Sequence, residues 1–257
     1  MAVSATQKIS VLIITLNEEK QMSELLAHLG FADEIIIVDS YSKDNTKIIA
    51  ESFANVKFIQ NPFENYTAQR NFAIDLAAND WIFFIDADER LTAKLKEEII
   101  QTVNNNPVFS AYLVKRKFMF KNKLLRFSGW QTDKIFRLFD RRKARYINER
   151  LVHEKLAVDG RIGKLKHPLI HFSYSDYQMY KSKMVSYGKL KAVEAKSRGV
   201  HPNFFHFYIK PAYKFLNQYI IRLGVLDGKK GVIICYLNAF SVYVRYQELK
   251  KLNQETR

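Results

Sequence analysis

Four short apolar runs, alternating with stretches of helical periodicity, constrain the fold more than any other feature of this sequence. The runs are rich in β-branched and aromatic residues and are too short for helices, which is typical of strands buried on both faces of a sheet. They cover residues 9–15, 34–39, 56–59 and 81–86. Apolar residues recur at helical spacing between them, for example in residues 18–30. This order of strand, helix and strand predicts βαβ units, and therefore an α/β fold with a mostly parallel sheet flanked by helices.

The later part of the chain has a different pattern. After a further helix, strands are predicted around residues 110–120 and 134–140, and from Asp176 onward three helical stretches continue to the end. A chain of 257 residues is long enough for one large α/β domain with an appendage. We therefore predict a domain over residues 1–175, followed by a helical C-terminal region over residues 176–257.

Charge is divided unevenly along the chain. Residues 1–110 contain 9 Lys and Arg against 16 Asp and Glu, whereas residues 111–257 contain 32 against 10. An acidic half suits a metal or a polar ligand, while a strongly basic half attracts phosphorylated or otherwise anionic partners through its long-range field. A generic solvated basic surface is the alternative explanation.

Cysteine content and the amino-terminal residues bear on the compartment. The single cysteine, Cys235, forms neither an internal disulfide nor a thiolate zinc site, which fits a reducing compartment. The first ten residues contain no apolar segment of signal-peptide length. We therefore expect a cytoplasmic protein.

The run "WIFFIDADER" ends abruptly on acidic residues. Carboxylates rarely enter a buried strand unpaired, so we expect Asp86 and Asp88 beyond the carboxyl end of the strand, where open α/β sheets bind their ligands. In extended chain, residues i and i+2 project to the same side, and the two carboxylates could face one divalent cation. A solvated loop is the alternative, because short acidic motifs are common.

Polar residues follow three of the four strands, and this coincidence strengthens the case for a site. The tips of neighbouring parallel strands lie at one edge of a sheet, so these side chains are expected to converge. The set is Thr15, Asn17, Glu18, Asp39, Asp86 and Asp88. Ser42 and Asp44 are explained as well by turn formation and helix capping. Neither a dinucleotide-binding fingerprint nor a P-loop follows any strand.

The motifs taken together resemble the family 2 glycosyltransferases, which have the GT-A fold. "ISVLIITLNEE", "IIIVDSYSKDNT", "AQRNFAI" and "WIFFIDADE" match the successive motifs of that family in order and spacing. The later pieces "LVHEKL" and "HFSYSDYQMYKSKMVSYGKLKA" resemble the lipopolysaccharide core β-1,4-glucosyltransferase branch. The resemblance implies a Rossmann-like sheet with a nucleotide-binding half over residues 1–110 and an acceptor half over residues 111–175.

The resemblance also implies roles for the residues at the strand tips. Arg70 would face the nucleotide, and Asp86 and Asp88 would bind the ribose and a Mg²⁺ or Mn²⁺ ion that bridges the diphosphate of the donor. The residues implied to line the nucleoside pocket are Thr15, Asn17, Glu18 and Asp39. Ser40 stands where the family usually carries a second acidic residue, which weakens the assignment of uridine. A cation stabilises the negative charge that develops on the leaving diphosphate.

An inverting transfer also requires a base for the acceptor hydroxyl. In "LVHEKL", Glu154 is the expected base and His153 a metal or acceptor contact, although their roles could be exchanged and the pair could be an ordinary surface pair. Asp133 is the next candidate for the base. The residues expected on the acceptor side are Trp130, Arg137 and His171.

The C-terminal region contains 14 consecutive uncharged residues, 231–244, flanked by lysines and arginine. This is shorter than the roughly 20 residues that span a bilayer. A helix lying in the interface of an anionic membrane and a helix that covers the core or forms a dimer contact fit the pattern equally well.

The leading functional hypothesis is a metal-dependent inverting glycosyltransferase that uses a nucleotide-activated hexose, with UDP-glucose as the expected donor. Its expected acceptor is an anionic glycan or glycolipid such as lipopolysaccharide core, reached from the cytoplasmic face of the inner membrane by peripheral contact. A homo-oligomer is left open. Transfer to polyprenyl phosphate is the nearest alternative, and a basic nucleic-acid-binding protein is the rival from another class, favoured by the charge and the 14 Tyr and 19 Phe. The rival lacks any nucleic-acid-binding signature, so we expect no nucleic acid partner.

Overall fold

The computed structural model describes residues 7–121, 123–148, 154–174 and 176–255, which divide into two compact units. The first unit comprises Met1–Arg116 and Lys134–His171, and the second comprises Lys117–Asp133 and Phe172–Arg257.

The first unit is built on four parallel strands. They are β1 (Ile9–Thr15), β2 (Glu34–Asp39), β3 (Val56–Gln60) and β4 (Trp81–Phe84). Their order is β3-β2-β1-β4, and the β1–β2 register places Thr15 opposite Asp39, so these two strands end level at one edge. The predicted parallel arrangement of these strands is confirmed.

Helices cover both faces of this parallel sheet. They are α1 (Glu19–Ala27), α2 (Thr46–Glu51), α3 (Tyr66–Leu76) and α4 (Ala93–Asn104). Side chains alternate along a strand, so Val11 of β1 packs in the same cluster as α1 and α4, whereas its neighbour Leu12 packs in the cluster that contains Ala73 and Ile74 of α3. Strands β1, β2 and β4 are buried on both faces and almost entirely apolar, as the sequence pattern predicted, whereas edge strand β3 exposes Lys57 and Gln60.

Beyond β4 the strands become mixed in direction. The additional strands are β5 (Glu89–Leu91), β6 (Ala111–Phe120), β7 (Lys123–Leu125), β8 (Lys134–Asp140), β9 (Ala144–Asn148), β10 (Glu154–Val158), β11 (Ile162–Lys164) and β12 (Leu169–Tyr174). The order continues from β4 as β8-β6-β12-β5, with β8 antiparallel to both β4 and β6. Strands β9 and β10 form a separate hairpin. The mostly parallel character is therefore a property of the first four strands.

The second unit is mainly helical, and its three predicted helical stretches are confirmed. They are α5 (Tyr177–Ser197), a segment in which α6 (Lys210–Leu216) lies between two π-helical turns, and α7 (Gly228–Gln254). Helix α7 packs against α5 and α6. No helix in the described part of the chain is both long enough and apolar enough to cross a bilayer.

The uncharged segment of residues 231–244 lies largely within the core of the second unit. Ile234 and Cys235 are fully buried, and Leu237 and Val242 are buried as well. Of the two placements that the sequence left open, the structure shows a helix that covers the core.

The close contact of α5 with α7 predicts that Gly188→Ala destabilises the second unit. A Cβ at Gly188 would lie 2.8 Å from the carbonyl oxygen of Ser241 and 3.0 Å from Val244. We expect a loss of about 1–3 kcal/mol in the free energy of unfolding, as for other overpacked cores. Chemical denaturation measures this loss. Gly30→Ala is the matched control, since a Cβ there meets nothing within 4 Å; equal stability of the two variants would contradict the packing described.

Candidate functional site

The loops that follow β1 and β2 are joined to each other by hydrogen bonds. The Ser40 N–H donates to the Thr15 carbonyl at 2.9 Å, and the Asn17 N–H donates to Ser42 Oγ at 2.8 Å. Asn17 has a φ of 55°, and its Oδ1 accepts from the Lys43 N–H at 2.8 Å. The predicted convergence of these two strand tips is therefore present in the structure.

Asp39 is completely buried at the end of β2. Its Oδ2 accepts from the Ser42 N–H at 2.8 Å and from Gln60 Nε2 at 3.3 Å, while Oδ1 accepts from the Ser42 hydroxyl. The carboxylate thus shapes the loop after β2, and its contact with a nucleobase stays a prediction.

Thr15 and Glu18, which lie at and just after the carboxyl end of β1, differ in their hydrogen bonds. Thr15 Oγ1 is buried and finds no hydrogen-bond partner among the described residues. The Glu18 N–H donates to Thr46 Oγ1 at 2.8 Å, and the residue is half-buried. Through this bond the start of α1 is tied to the start of α2.

Asp86, two residues after β4, lies between two arginines. Arg70 Nη2 of α3 is 3.1 Å from Oδ1, and Arg137 Nη2 of β8 contacts Oδ2. Burial by itself would raise the pKa of Asp86, but the charges of Arg137 and Arg70 outweigh it and hold the pKa well below its usual range. The carboxylate is therefore ionised at neutral pH, with the Arg70 guanidinium in turn stacked 4.5 Å from the Phe84 ring centroid.

Glu89 completes this buried charge network. The side chain is fully buried; Oε1 accepts from Arg137 Nη2 at 2.7 Å and Oε2 accepts from the Asp86 N–H at 3.1 Å. Arg116 of β6 places Nη1 3.5 Å from Oε1. Burial would lower the pKa of Arg137, but Asp86 and Glu89 raise it. Glu89 was not predicted as a site residue, and its position three residues after Asp86 is the sequence feature that points to it.

Asp88 is paired with a histidine that is far away in the sequence. His171 Nε2 lies 3.1 Å from Asp88 Oδ2. Antiparallel pairing of β5 with β12 places His171 opposite Glu89, and this register brings the imidazole to the acidic turn. His171 was predicted on the acceptor side, and the structure places it beside the predicted metal ligand.

The pair of Asp88 and His171 fits a divalent cation that takes its remaining ligands from elsewhere. A carboxylate oxygen with an imidazole nitrogen is a donor set that Mn²⁺ and related ions accept. Among the described residues there is no cluster of three or more His, Cys, Asp or Glu that could hold a metal. Two protein ligands leave positions for water and for phosphate oxygens, which suits a nucleotide-bound metal better than a permanent structural ion.

Two further predicted residues belong to the second unit. Trp130 packs on Phe118 with 4.0 Å between ring centroids, and its Nε1 is buried with no partner in the described ranges. The Asp133 N–H donates to the Trp130 carbonyl at 3.2 Å.

Glu154, the predicted base, is the first described residue after the gap at residues 149–153. His153 falls outside the described residues. Glu154 is the first residue of β10, where its backbone pairs with Asn148, and its side chain is likewise outside the description. The hairpin of β9 and β10 is held to α3, because the Tyr146 N–H and carbonyl both bond to the side chain of Asn71. The catalytic roles given to Glu154 and His153 stay predictions.

The sequence profile of the Glycosyl transferase family 2 matches residues 10–158, and the chain belongs to this family. It is a glycosyltransferase, and the α/β fold that its sequence predicted is confirmed by the structure.

Similar proteins cover almost the whole chain. An uncharacterized glycosyltransferase of Rickettsia bellii (strain RML369-C) is 29% identical over 96% of this chain and 88% of its own. The lipopolysaccharide core biosynthesis glycosyltransferase LpsC of Rhizobium meliloti (strain 1021) is 28% identical over 93% of each chain. Among solved structures, S. aureus TarS 1–349 aligns with 16% identity and a TM-score of 0.48, over 98% of this chain and 92% of that one.

The buried charge network predicts that Arg137→Met costs about 3–5 kcal/mol of unfolding free energy at neutral pH, because it leaves two carboxylates without their shared partner. The stability due to ionised Asp86 is present above the ordinary carboxyl pKa of 3.8 and is lost as the pH falls toward the lowered value. The difference in unfolding free energy between wild type and Arg137→Met should therefore become smaller below about pH 4.

Arg145→Met is the matched control for denaturation experiments across this pH range. Arg145 pairs with Asp75 at the surface, where both side chains are about half exposed, and its loss should cost at most about 1 kcal/mol. Similar costs for the two variants would show that the network around Asp86 does not stabilise the fold.

Proposed function

We propose that this glycosyltransferase transfers glucose from UDP-glucose, with inversion, to a lipopolysaccharide core acceptor at the cytoplasmic face of the inner membrane. The observation that carries the proposal is the pair of Asp88 and His171 beside the arginine-bound Asp86, at the edge where the loops after β1 and β2 meet. The name of the Rhizobium relative supports the choice of acceptor. The motif resemblance supports the choice of donor.

Asp88 and His171 would hold a Mg²⁺ or Mn²⁺ ion in this proposal. When bound, such an ion neutralises the charge that develops on the leaving diphosphate. Arg70 and Arg137 hold the carboxylate of Asp86 in place, and in this proposal it would accept a hydrogen bond from a ribose hydroxyl. Its role as a metal ligand, and that of His153, stay predictions.

The transfer requires one bond to form as another breaks. The acceptor oxygen attacks C1 of the sugar while the C1–O bond to the diphosphate breaks and its electron pair goes to the leaving oxygen. Glu154 would take the proton of the acceptor hydroxyl. Arg70 is paired with Asp86 and would contribute positive charge near the leaving diphosphate.

The proposed metal pair predicts that His171→Ala raises the Mn²⁺ concentration needed for UDP-glucose binding by at least about tenfold, because one of two protein ligands is lost. Isothermal calorimetry with UDP-glucose at increasing Mn²⁺ measures this requirement. His167→Ala is the matched control, four residues earlier and close to Glu98 rather than to Asp88. An unchanged Mn²⁺ requirement in His171→Ala would remove this residue from the metal site.

The proposed base predicts that Glu154→Gln lowers turnover by about 10²–10⁴ while UDP-glucose affinity is kept, because the amide has the size but not the basicity of the carboxylate. Transfer to a core oligosaccharide acceptor measures turnover. Asp133→Asn is tested in parallel. If only Asp133→Asn shows the loss, Asp133 is the base; near wild-type turnover in both variants would exclude both residues.

A further inference from the structure

The helical segment from Phe204 to Ile221 in the second unit turns its apolar side chains outward. All nine of its exposed positions are aromatic or aliphatic, and we call these nine positions the apolar face. Its members include Phe204 at 70% exposure, Tyr208 at 61%, Tyr213 at 65%, Leu216 at 50%, Ile220 at 57% and Ile221 at 69%. A contiguous exposed face of this kind marks a contact surface rather than an ordinary solvated helix.

The polar residues of the same segment lie on the inward side. Lys210 and Lys214 are only partly exposed, and Lys210 Nζ donates to the Tyr246 hydroxyl at 3.0 Å. Gln218 is buried and accepts from Asn238 Nδ2 at 2.9 Å. An amphipathic helix that faces water has the reverse arrangement, with its charged side chains outward. The surroundings of the apolar face are therefore expected to be apolar.

The chain that carries the apolar face has charges of a single sign between Glu194 and Asp227, and one of them, Arg198, is salt-bridged to the bounding Glu194. No Asp or Glu occurs between Glu194 and Asp227, whereas this stretch contains five cations. They are Lys196, Arg198, Lys210, Lys214 and Arg222. Burial lowers the pKa of Lys214, and the nearby charges of Lys191, Arg222 and Arg245 lower it further. A neighbouring anion would relieve this repulsion.

We propose that the apolar face docks on an anionic lipid bilayer, with its aromatic and aliphatic side chains at the level of the headgroups and the net positive charge of the surrounding stretch attracted to the negative surface. Tyrosine and phenylalanine beside lysine and arginine are typical of helices that lie in this interface. The inference deepens the proposed function, because it rests on a lipid-borne acceptor for the choice of a bilayer.

A second copy of the chain fits this surface less well. A two-fold symmetric interface places the same patch of both copies against each other. The stretch between Glu194 and Asp227 would then face its own five cations with no acidic partner from the same stretch. An anionic bilayer offers apolar depth and negative charge together.

The test is flotation of the full-length protein with vesicles of phosphatidylglycerol and phosphatidylethanolamine, compared with vesicles of phosphatidylcholine. Wild type should bind the anionic vesicles, and binding should fall by at least about tenfold on phosphatidylcholine, where the attraction of several cations is lost. Tyr213→Asp with Ile220→Asp should lower binding to anionic vesicles by at least about tenfold, because two apolar side chains that would enter the bilayer interface are replaced by negative charges.

The matched control is Ile48→Asp with Val108→Asp, which makes the same kind of change at two exposed apolar positions of the first unit. It should bind anionic vesicles like wild type. If the first double variant alters the fold as judged by circular dichroism, Tyr213→Ser with Ile220→Ser repeats the measurement without added charge. Wild-type vesicle binding in the Tyr213 and Ile220 variants would overturn the proposal, as would self-association in solution that these variants abolish.

A separate readout distinguishes this inference from the proposed function. UDP-glucose binding by the Tyr213 and Ile220 variants should match that of wild type, because neither residue belongs to the proposed donor site. Transfer to a core acceptor without vesicle binding would overturn the assignment of the surface and leave the proposed reaction intact. Vesicle binding with no transfer from any sugar nucleotide would contradict the proposed reaction and leave the assignment of the surface intact.

Discussion

The structure of the candidate site depends on the salt bridges of Asp86 and Glu89 with buried Arg137. A carboxylate at the end of a buried strand is unfavourable unless its charge is compensated, and here Arg137 compensates both carboxylates from β8 while Arg70 adds a second cation from α3. The Asp86 N–H also donates to Glu89, so backbone and side chains of the turn are held together. This network fixes the turn that carries Asp88.

The same edge of the sheet gathers groups from several separate elements. The loops after β1 and β2 are cross-linked through Asn17 and Ser42, while β12 contributes His171 through its pairing with β5. Each loop is short and multiply hydrogen-bonded, so contacts within the protein define the positions of its polar groups. Such preorganisation is what electrostatic stabilisation of a leaving group requires. The family membership of the chain and this arrangement point to the same chemistry.

The sequence predicted the parts of the fold that depend on local pattern. β1 and β2 have the predicted bounds, and Asp86 and Asp88 follow β4 as expected, because a buried parallel strand has a strong apolar signature. Asp88 and His171 are 83 residues apart in the sequence. Their pairing depends on the antiparallel register of β5 and β12, which no local pattern encodes. Likewise, composition could not decide whether residues 231–244 or residues 204–221 face outward, because that choice depends on how α5, α6 and α7 pack.

We propose that Asp88 and His171 hold the metal of a nucleotide complex. Electron spin-echo spectroscopy of the protein with Mn²⁺ and UDP tests it most directly, because a coordinated imidazole nitrogen modulates the echo. If His171 is a ligand, nitrogen modulation should persist in His153→Gln and disappear in His171→Gln. Modulation that survives in His171→Gln, or is absent from the wild-type complex with Mn²⁺ bound, would contradict it.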